Sequence, residues 1–186
     1  MLHDMVDPID VTVHRTEDLD AGQRRRISDV CNHANDTEEF DDLFRIYIPS
    51  GGRHIVGTID GVVVSHAVVT TRWVQPAGCE PLRTAFVDAV ATDPAAQHRG
   101  AATTVIARLN QVIDDYEIGC LQTDIPGFYA RIGWERWRGP LAGRRDAELV
   151  PTPDQHGVMV LPLPSGPPLD LDQLLSIEAQ PNRFWG

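Results

Sequence analysis

The chain has 186 residues, 42% hydrophobic and 23% charged, enough for one well-buried core, and a formal net charge of −11. That charge excludes nucleic acid and anionic membrane as expected partners, since both need a basic face, and favours a cationic small molecule or protein. All 16 basic residues are Arg, so chemistry that requires a lysine is excluded too. No apolar run approaches the roughly 18 residues of a membrane span. The acidic start, Met1 to Asp7, lacks a secretory pattern, so a cytoplasmic location is expected. Cys31, Cys79 and Cys120 are far apart, with no second ligand at metal spacing, and read as free thiols with no metal.

In chain order, Asp10 to His14 alternates as a first strand. Thr16 or Asp18 then caps a helix that runs to about Cys31, turning Leu19, Ile27 and Val30 inward and Arg24, Arg25 and Arg26 largely outward. The acidic stretch Asp36, Glu38, Glu39, Asp41 and Asp42, interleaved with Phe40, Leu43 and Phe44, predicts a short second helix. Asp60-Gly61 between two β-branched runs, 54–59 and 62–69, is a hairpin signal, because a two-residue turn needs positive backbone angles there. A loop with Pro76, Gly78 and Pro81 leads to a strand from Thr84 to Thr92, ended by Asp93-Pro94. Ala102, Val105, Ile106, Leu109, Val112 and Ile113 then repeat at helical spacing, which predicts a helix from about Gly100 to Tyr116. Next come a strand (118–123), a short helix (126–132) with Pro126 in its first turn, a short strand (134–137), an Arg-, Pro- and Gly-rich loop (138–157) and a strand at 158–161. The tail from Pro162 is Pro-rich, then weakly helical around Leu169 to Ile177. This order predicts an α+β fold, a mixed and mostly antiparallel sheet with helices on both faces, in a single domain over 1–186.

The segment Gln97-His98-Arg99-Gly100-Ala101-Ala102 lies between a strand and the start of an amphipathic helix. Small residues at Gly100, Ala101 and Ala102 let a ligand approach the backbone, and unpaired amides at a helix N-terminus carry partial positive charge. Such a turn suits an anion of the pyrophosphate kind, although it also serves simple strand-to-helix packing.

Here the sequence resembles the GCN5-related N-acetyltransferase (GNAT) superfamily, whose fold has this element order. The resemblance implies acetyl-coenzyme A as cosubstrate, held at Gln97, His98, Arg99, Gly100, Ala101 and Ala102. The strand Phe86 to Thr92 looks like the superfamily's central strand, so Val90, Ala91 and Thr92 would line the pantetheine arm. A narrower resemblance, to bacterial aminoglycoside 2'-N-acetyltransferases, rests on Asp18-Leu19-Asp20, Ser65-His66-Ala67-Val68-Val69, Phe86-Val87-Asp88, Phe128-Tyr129-Ala130-Arg131-Ile132-Gly133-Trp134, Arg138-Gly139-Pro140, Thr152-Pro153-Asp154 and Val158-Met159-Val160-Leu161-Pro162. It implies acetylation of an amine, by family the 2'-amine, on a cationic aminosugar, and hence antibiotic resistance. The acidic composition independently suits such a substrate. A different small amine, a protein N-terminus and a non-catalytic binding module are the alternatives, and the sequence leaves room for a homodimer.

By this resemblance Tyr129 is the general acid to the coenzyme A sulfur, since a phenol with a reference pKa of about 10 can donate a proton at pH 7. Asp88 stands where the family usually has Glu; one methylene shorter, it favours a water-relayed base. The Val90 amide is the expected donor to the thioester oxygen. His66 reads either as a base near neutral pH or as a hydrogen-bonded strand histidine. Ala89, Gln122 and Thr123 are placed near acceptor or cofactor, and Asp36, Asp41 and Asp154 are expected acceptor carboxylates. Gln155 replaces a family carboxylate, which suggests a narrower substrate such as kasugamycin. The tail over 162–186 is expected to close the acceptor site, with Trp185 and Gly186 at its end.

Overall fold

The computed structural model describes residues 8–48, 51–146, 148–181 and 183–185. The chain forms two compact units, one taking the chain as far as Thr70 together with Asp88–Val112, the other Thr71–Val87 and the chain from Ile113 onward.

The first unit holds β1 (Asp10–Arg15), α1 (Ala21–Asn35), α2 (Leu43–Ile46), β2 (Arg53–Ile59), the first part of β3 (Val62–Pro76), the last part of β4 (Leu82–Thr92) and α3 (Ala101–Val112). β1 pairs antiparallel with β2 from Asp10↔Thr58 to Arg15↔Arg53, and β2 with β3 from Arg53↔Val69 to Ile59↔Val62. The Asp60-Gly61 turn has the positive angles its sequence demands, φ of 50° and 75°.

α1 starts later than expected, because residues Thr16–Asp18 form a separate 3-10 turn and Asp20 is the cap. Its carboxylate accepts the Gln23 amide at 2.8 Å, and the Gln23 side chain accepts the Asp20 amide at 3.0 Å. This reciprocal pair satisfies two groups that a helix start leaves open. The helix runs one turn beyond Cys31 and stops at Asp36, whose φ of 50° is left-handed. Ile27, Val30 and Leu43 pack against Val56 and Val68 of the strands. One residue on from Val56, a Cβ at Gly57 would stand 2.9 Å from a Val105 methyl of α3, so the missing side chain lets that helix lie close. β2 therefore carries helices on both faces.

α3 ends four residues before Tyr116. Ala101 is buried, and Ala102, expected inside, is half-buried. Ile113 and Tyr116 are buried nonetheless, so apolar spacing outlasts the helical backbone.

The second unit takes the rest of β3 and β4 with β5 (Ile118–Gln122), α4 (Pro126–Ala130), β6 (Glu135–Arg136), β7 (Leu141–Arg145), β8 (Glu148–Pro151), β9 (Val158–Pro162) and β10 (Leu175–Glu178). β5 lies parallel to β4 and antiparallel to β9, which also pairs with β6. β10 runs antiparallel to β3 and parallel to β7, and β7 pairs antiparallel with β8. Two expectations are corrected here. The segment 138–157 contains the β7–β8 pair and is not one loop, and the tail contributes β10 where a weak helix was expected. Leu175 and Ile177 of β10 join a core with Phe86, Ile118, Trp137 and Trp185, so burial by distant strands overrides local propensity. The fold is mixed α+β. Among the described residues no helix is long and apolar enough to cross a membrane.

Candidate active site

The Gln97–Ala102 segment forms a turn with two left-handed residues, His98 at φ 62° and Gly100 at φ 83°. The Gly100 carbonyl accepts the Thr104 amide at 2.9 Å and the Thr104 hydroxyl at 3.0 Å, so Gly100 caps α3 and the first amides of the helix have no partner within it. A Cβ at Gly100 would meet no atom within 4 Å. Gln97, His98 and Gly100 are exposed and Arg99 is half-buried. The turn thus offers accessible backbone and the positive end of a helix, as an anion requires.

Upstream, β4 is irregular. Ala89 has a left-handed φ of 48°, uncommon for a residue with a Cβ, and Asp88, Ala89 and Val90 are all half-buried between buried Val87 and Ala91. The parallel ladder of β4 with β5 ends at Val87↔Leu121, so the Val90 backbone lies outside it. Ala91 and Thr92 are tied to β3: Ser65 Oγ donates to the Ala91 carbonyl at 3.0 Å and lies 2.9 Å from Thr92 Oγ1.

His66 lies on β3 behind this irregularity, fully buried. Its Nδ1 is 2.9 Å from the Ala89 carbonyl and its Nε2 is 2.8 Å from His54 Nδ1. Burial drives the His66 pKa down to about 4. Burial first, then the charges of His66, Arg24 and His14, drive that of His54 down to about 3. Both are neutral at pH 7, and His66 has no ring nitrogen left for a substrate proton. Of its two readings, the structure selects the hydrogen-bonded strand histidine.

In the second unit, Tyr129 sits on α4, which begins at Pro126, and is 4% exposed. Its ring meets Phe128 and Trp134 edge-on, at 5.0 Å and 6.0 Å between centroids, and its carbonyl accepts the Ile132 and Trp134 amides. Burial pushes the phenol up to about 12, so it stays protonated at neutral pH. Gln122 ends β5, paired with Val158 of β9. Thr123 donates its amide to Gly157 at 3.0 Å and accepts the Ile125 amide at 3.0 Å on its hydroxyl.

The structure brings Asp36 and Asp41 together in an acidic groove of about 750 Å³, which Asp29, Glu38 and Asp93 also line. Asn32 organises one side, donating to Asp41 at 2.7 Å and accepting the Phe40 amide at 2.9 Å. Arg26 lies 3.9 Å from the Asp93 carboxylate, and His33 Nδ1 lies 3.6 Å from the same group. Sequence reading left Asp29 and Asp93 out of the site and took Glu38 only as part of the acidic stretch. The signal was present for Asp29, since Asp29, Asn32, His33 and Asp36 follow helical spacing along α1.

Asp154 and Gln155 belong to the second unit. Gln155 lines a groove of about 450 Å³ with Arg136, Arg138 and His156, while Asp154 is exposed and gives its carbonyl to His156 Nδ1 at 3.0 Å. Trp185 is buried in that unit's core, its indole N–H donating to Thr152 Oγ1 at 3.2 Å. Gly186 lies outside the described residues. Among those residues no group of three His, Cys, Asp or Glu is arranged to hold a metal.

Residues 12–137 match the model of the acetyltransferase (GNAT) domain family. The aminoglycoside 2'-N-acetyltransferase of Mycolicibacterium fortuitum is 31% identical over 141 residues, 73% of this chain and 72% of that protein. The Escherichia coli GNAT family N-acetyltransferase YhbS, solved with CoA, superposes with a TM-score of 0.65 over 91% of this chain and 89% of its own, at 16% identity. A Brucella melitensis GNAT family acetyltransferase, solved with acetyl-CoA, gives 0.59 over 89% and 94%, also at 16% identity. A larger relative from Kribbella flavida, 16% identical with a TM-score of 0.60, is matched over 73% of this chain, which spans only 34% of that protein. The fold and the family match agree: the chain belongs to the GNAT acetyltransferases.

Proposed function

We propose that the protein transfers the acetyl group of acetyl-coenzyme A to an amine of an aminoglycoside, by family likeness the 2'-amine, and so confers resistance to that drug. The observation that carries the substrate class is the acidic groove, lined by five carboxylates, with the Arg26 guanidinium 3.9 Å from one of them. A polycationic aminosugar complements that charge. Asp36 and Asp41 are assigned to its ammonium groups, with Asp154, Gln155, Ala89, Gln122, Thr123, Trp185 and Gly186 as further acceptor contacts. The tail over 162–186 is read as closing the acceptor site of a single catalytic domain. A cytoplasmic location and a homodimer belong to the same proposal.

The turn fits the cosubstrate, because open space at Gly100 and unpaired amides at α3 suit a pyrophosphate. Gln97, His98, Arg99, Gly100, Ala101 and Ala102 would hold it there, with Val90, Ala91 and Thr92 along the pantetheine. Acetyl-coenzyme A supplies an activated acetyl as a thioester. Asp88, through a water, takes the proton that the amine loses as its nitrogen bonds to the carbonyl carbon. The Val90 amide donates to the carbonyl oxygen as charge develops there. Tyr129 gives its proton to the sulfur as the carbon–sulfur bond breaks, leaving an acetamide and a free thiol.

Free-thiol release over a panel of aminoglycosides, kasugamycin included, tests this reading. Release with a member of the panel is the expected result. Release with polyamines or peptide N-termini alone would overturn the aminoglycoside assignment and keep the reaction; release with no amine would overturn both.

A further inference from the structure

The left-handed angle of Ala89 is strained for a residue with a Cβ, and such an angle persists only where neighbours over-determine it. Those neighbours form a buried line of side chains. His66 Nδ1 faces the Ala89 carbonyl at 2.9 Å, His66 Nε2 faces His54 Nδ1 at 2.8 Å, and His54 Nε2 faces Thr16 Oγ1 at 2.8 Å. The line ends where the Gly52 amide donates to Thr16 Oγ1, also at 2.8 Å. Both imidazoles are fully buried, and the sulfur of Cys31 lies 3.9 Å from both His66 Nδ1 and the Ala89 carbonyl.

The protons along this line have one consistent arrangement. A carbonyl oxygen only accepts, so His66 Nδ1 carries hydrogen. A neutral His66 then accepts at Nε2, which makes His54 Nδ1 the donor. His54 in turn accepts at Nε2, so the Thr16 hydroxyl donates to it while accepting from Gly52. Every buried donor meets an acceptor, and the direction of the whole chain is set by the carbonyl at its end.

We propose that Thr16, His54 and His66 are positioning residues that clamp the Ala89 bulge and thereby aim its two neighbours, the Asp88 carboxylate and the Val90 amide, at the reacting acetyl group. The inference rests on the roles given above to Asp88 and Val90. The pyrophosphate turn, ten residues downstream, is not part of the clamp. Losing the clamp therefore disturbs turnover more than cosubstrate binding, to which Val90 contributes only a part.

The two amide analogues of histidine separate the two ends of His66. Asparagine can keep a donor near Nδ1 and loses the His54 contact; glutamine can keep a group near Nε2 and loses the donor to Ala89. For thiol release, His66→Gln is expected to lower kcat about tenfold or more with the KM for acetyl-coenzyme A within about twofold, while His66→Asn stays within about threefold of the parent kcat. Backbone carbon shifts of Ala89 and the Val90 amide resonance, read without any substrate, should move in His66→Gln and move less in His66→Asn, which keeps the donor to Ala89 but loses the support of His54 and Thr16. Equal kcat in the two variants, or unmoved Ala89 and Val90 resonances in His66→Gln, overturns the clamp. If the wild type releases no thiol, the catalytic reading fails while the resonances still decide whether the clamp exists. Should either His66 variant not fold, Thr16→Val, which removes the far hydroxyl without touching β3 or β4, takes its place beside Thr16→Ser. The clamp predicts that the valine variant shifts the Ala89 resonances and the serine variant does not; no shift in the valine variant overturns it.

Discussion

Acid should loosen the first unit before the second, because the buried imidazoles of His54 and His66 cannot follow the unfolded chain in taking up protons. The unfolded histidines, at a reference pKa of about 6.5, protonate as the pH falls from 7 to 5, whereas the folded ones, held near 3 and 4, stay neutral. The unfolded state then binds more protons, so the stability present above pH 6.5 is lost progressively down to about pH 4 for His66 and about pH 3 for His54. At pH 5 each histidine costs about 2 kcal/mol and the pair about 4 kcal/mol. With a urea slope of about 2 kcal/mol per molar, the midpoint should drop by about 2 M between pH 7 and pH 5. Glu178, whose carboxyl is raised by burial, works in the opposite direction and belongs to the other unit. The probe matters, since all four tryptophans (Trp73, Trp134, Trp137 and Trp185) lie in the second unit. Far-ultraviolet circular dichroism, dominated by α1 and α3 of the first unit, is the appropriate signal. A midpoint that does not move, or an equal drop in a His54→Gln/His66→Gln double variant, refutes the reasoning.

Tyr129→Phe should lower kcat for thiol release by about tenfold to a hundredfold with acetyl-coenzyme A binding intact; unchanged turnover removes Tyr129 from the acid role. An Asp36→Asn/Asp41→Asn double variant should raise the KM for an aminoglycoside about tenfold at low salt, an effect that high salt erases, and leave kcat alone. Asp20→Ala removes the carboxylate that accepts the Gln23 amide in the α1 cap and should cost about 1 kcal/mol in a denaturant titration. Gly157→Ala puts a Cβ 2.0 Å from the Thr123 carbonyl at a φ of 72°, and should destabilise the second unit by about 2 kcal/mol or more, visible in tryptophan fluorescence.

Local signals carried the parts of the fold that depend on local physics. Asp60-Gly61 needs positive angles and has them, and the apolar stripe of α3 packs as its spacing demands. Elements stabilised from far away were invisible. β7 and β8 have too little alternation to mark them as strands, and β7 is in the sheet because β10, more than thirty residues later, pairs with it. The leucines around Leu171 to Leu175 have spacing that suits a helix, yet Leu175 and Ile177 are buried as strand residues. For the candidate site, the left-handed turn at Gly100 was legible from its small residues, whereas Tyr129 was picked out by resemblance to the family. The bulge at Ala89 was not legible, because a glycine there would have advertised a left-handed angle and an alanine conceals it. The acidic groove was half legible: its contiguous part lies between Asp36 and Asp41, while Asp93 arrives from the end of β4.

Because β3 and β4 each contribute to both units, neither unit is a continuous piece of sequence. No single cut, truncation or fusion point can release one without severing the other. The order of synthesis has a consequence as well. The first unit is complete once Val112 has emerged from the ribosome, whereas the second still waits for β10 and Trp185. The turn at Gly100 and the buried line from His66 to Thr16 can therefore be in place before Tyr129 has been translated.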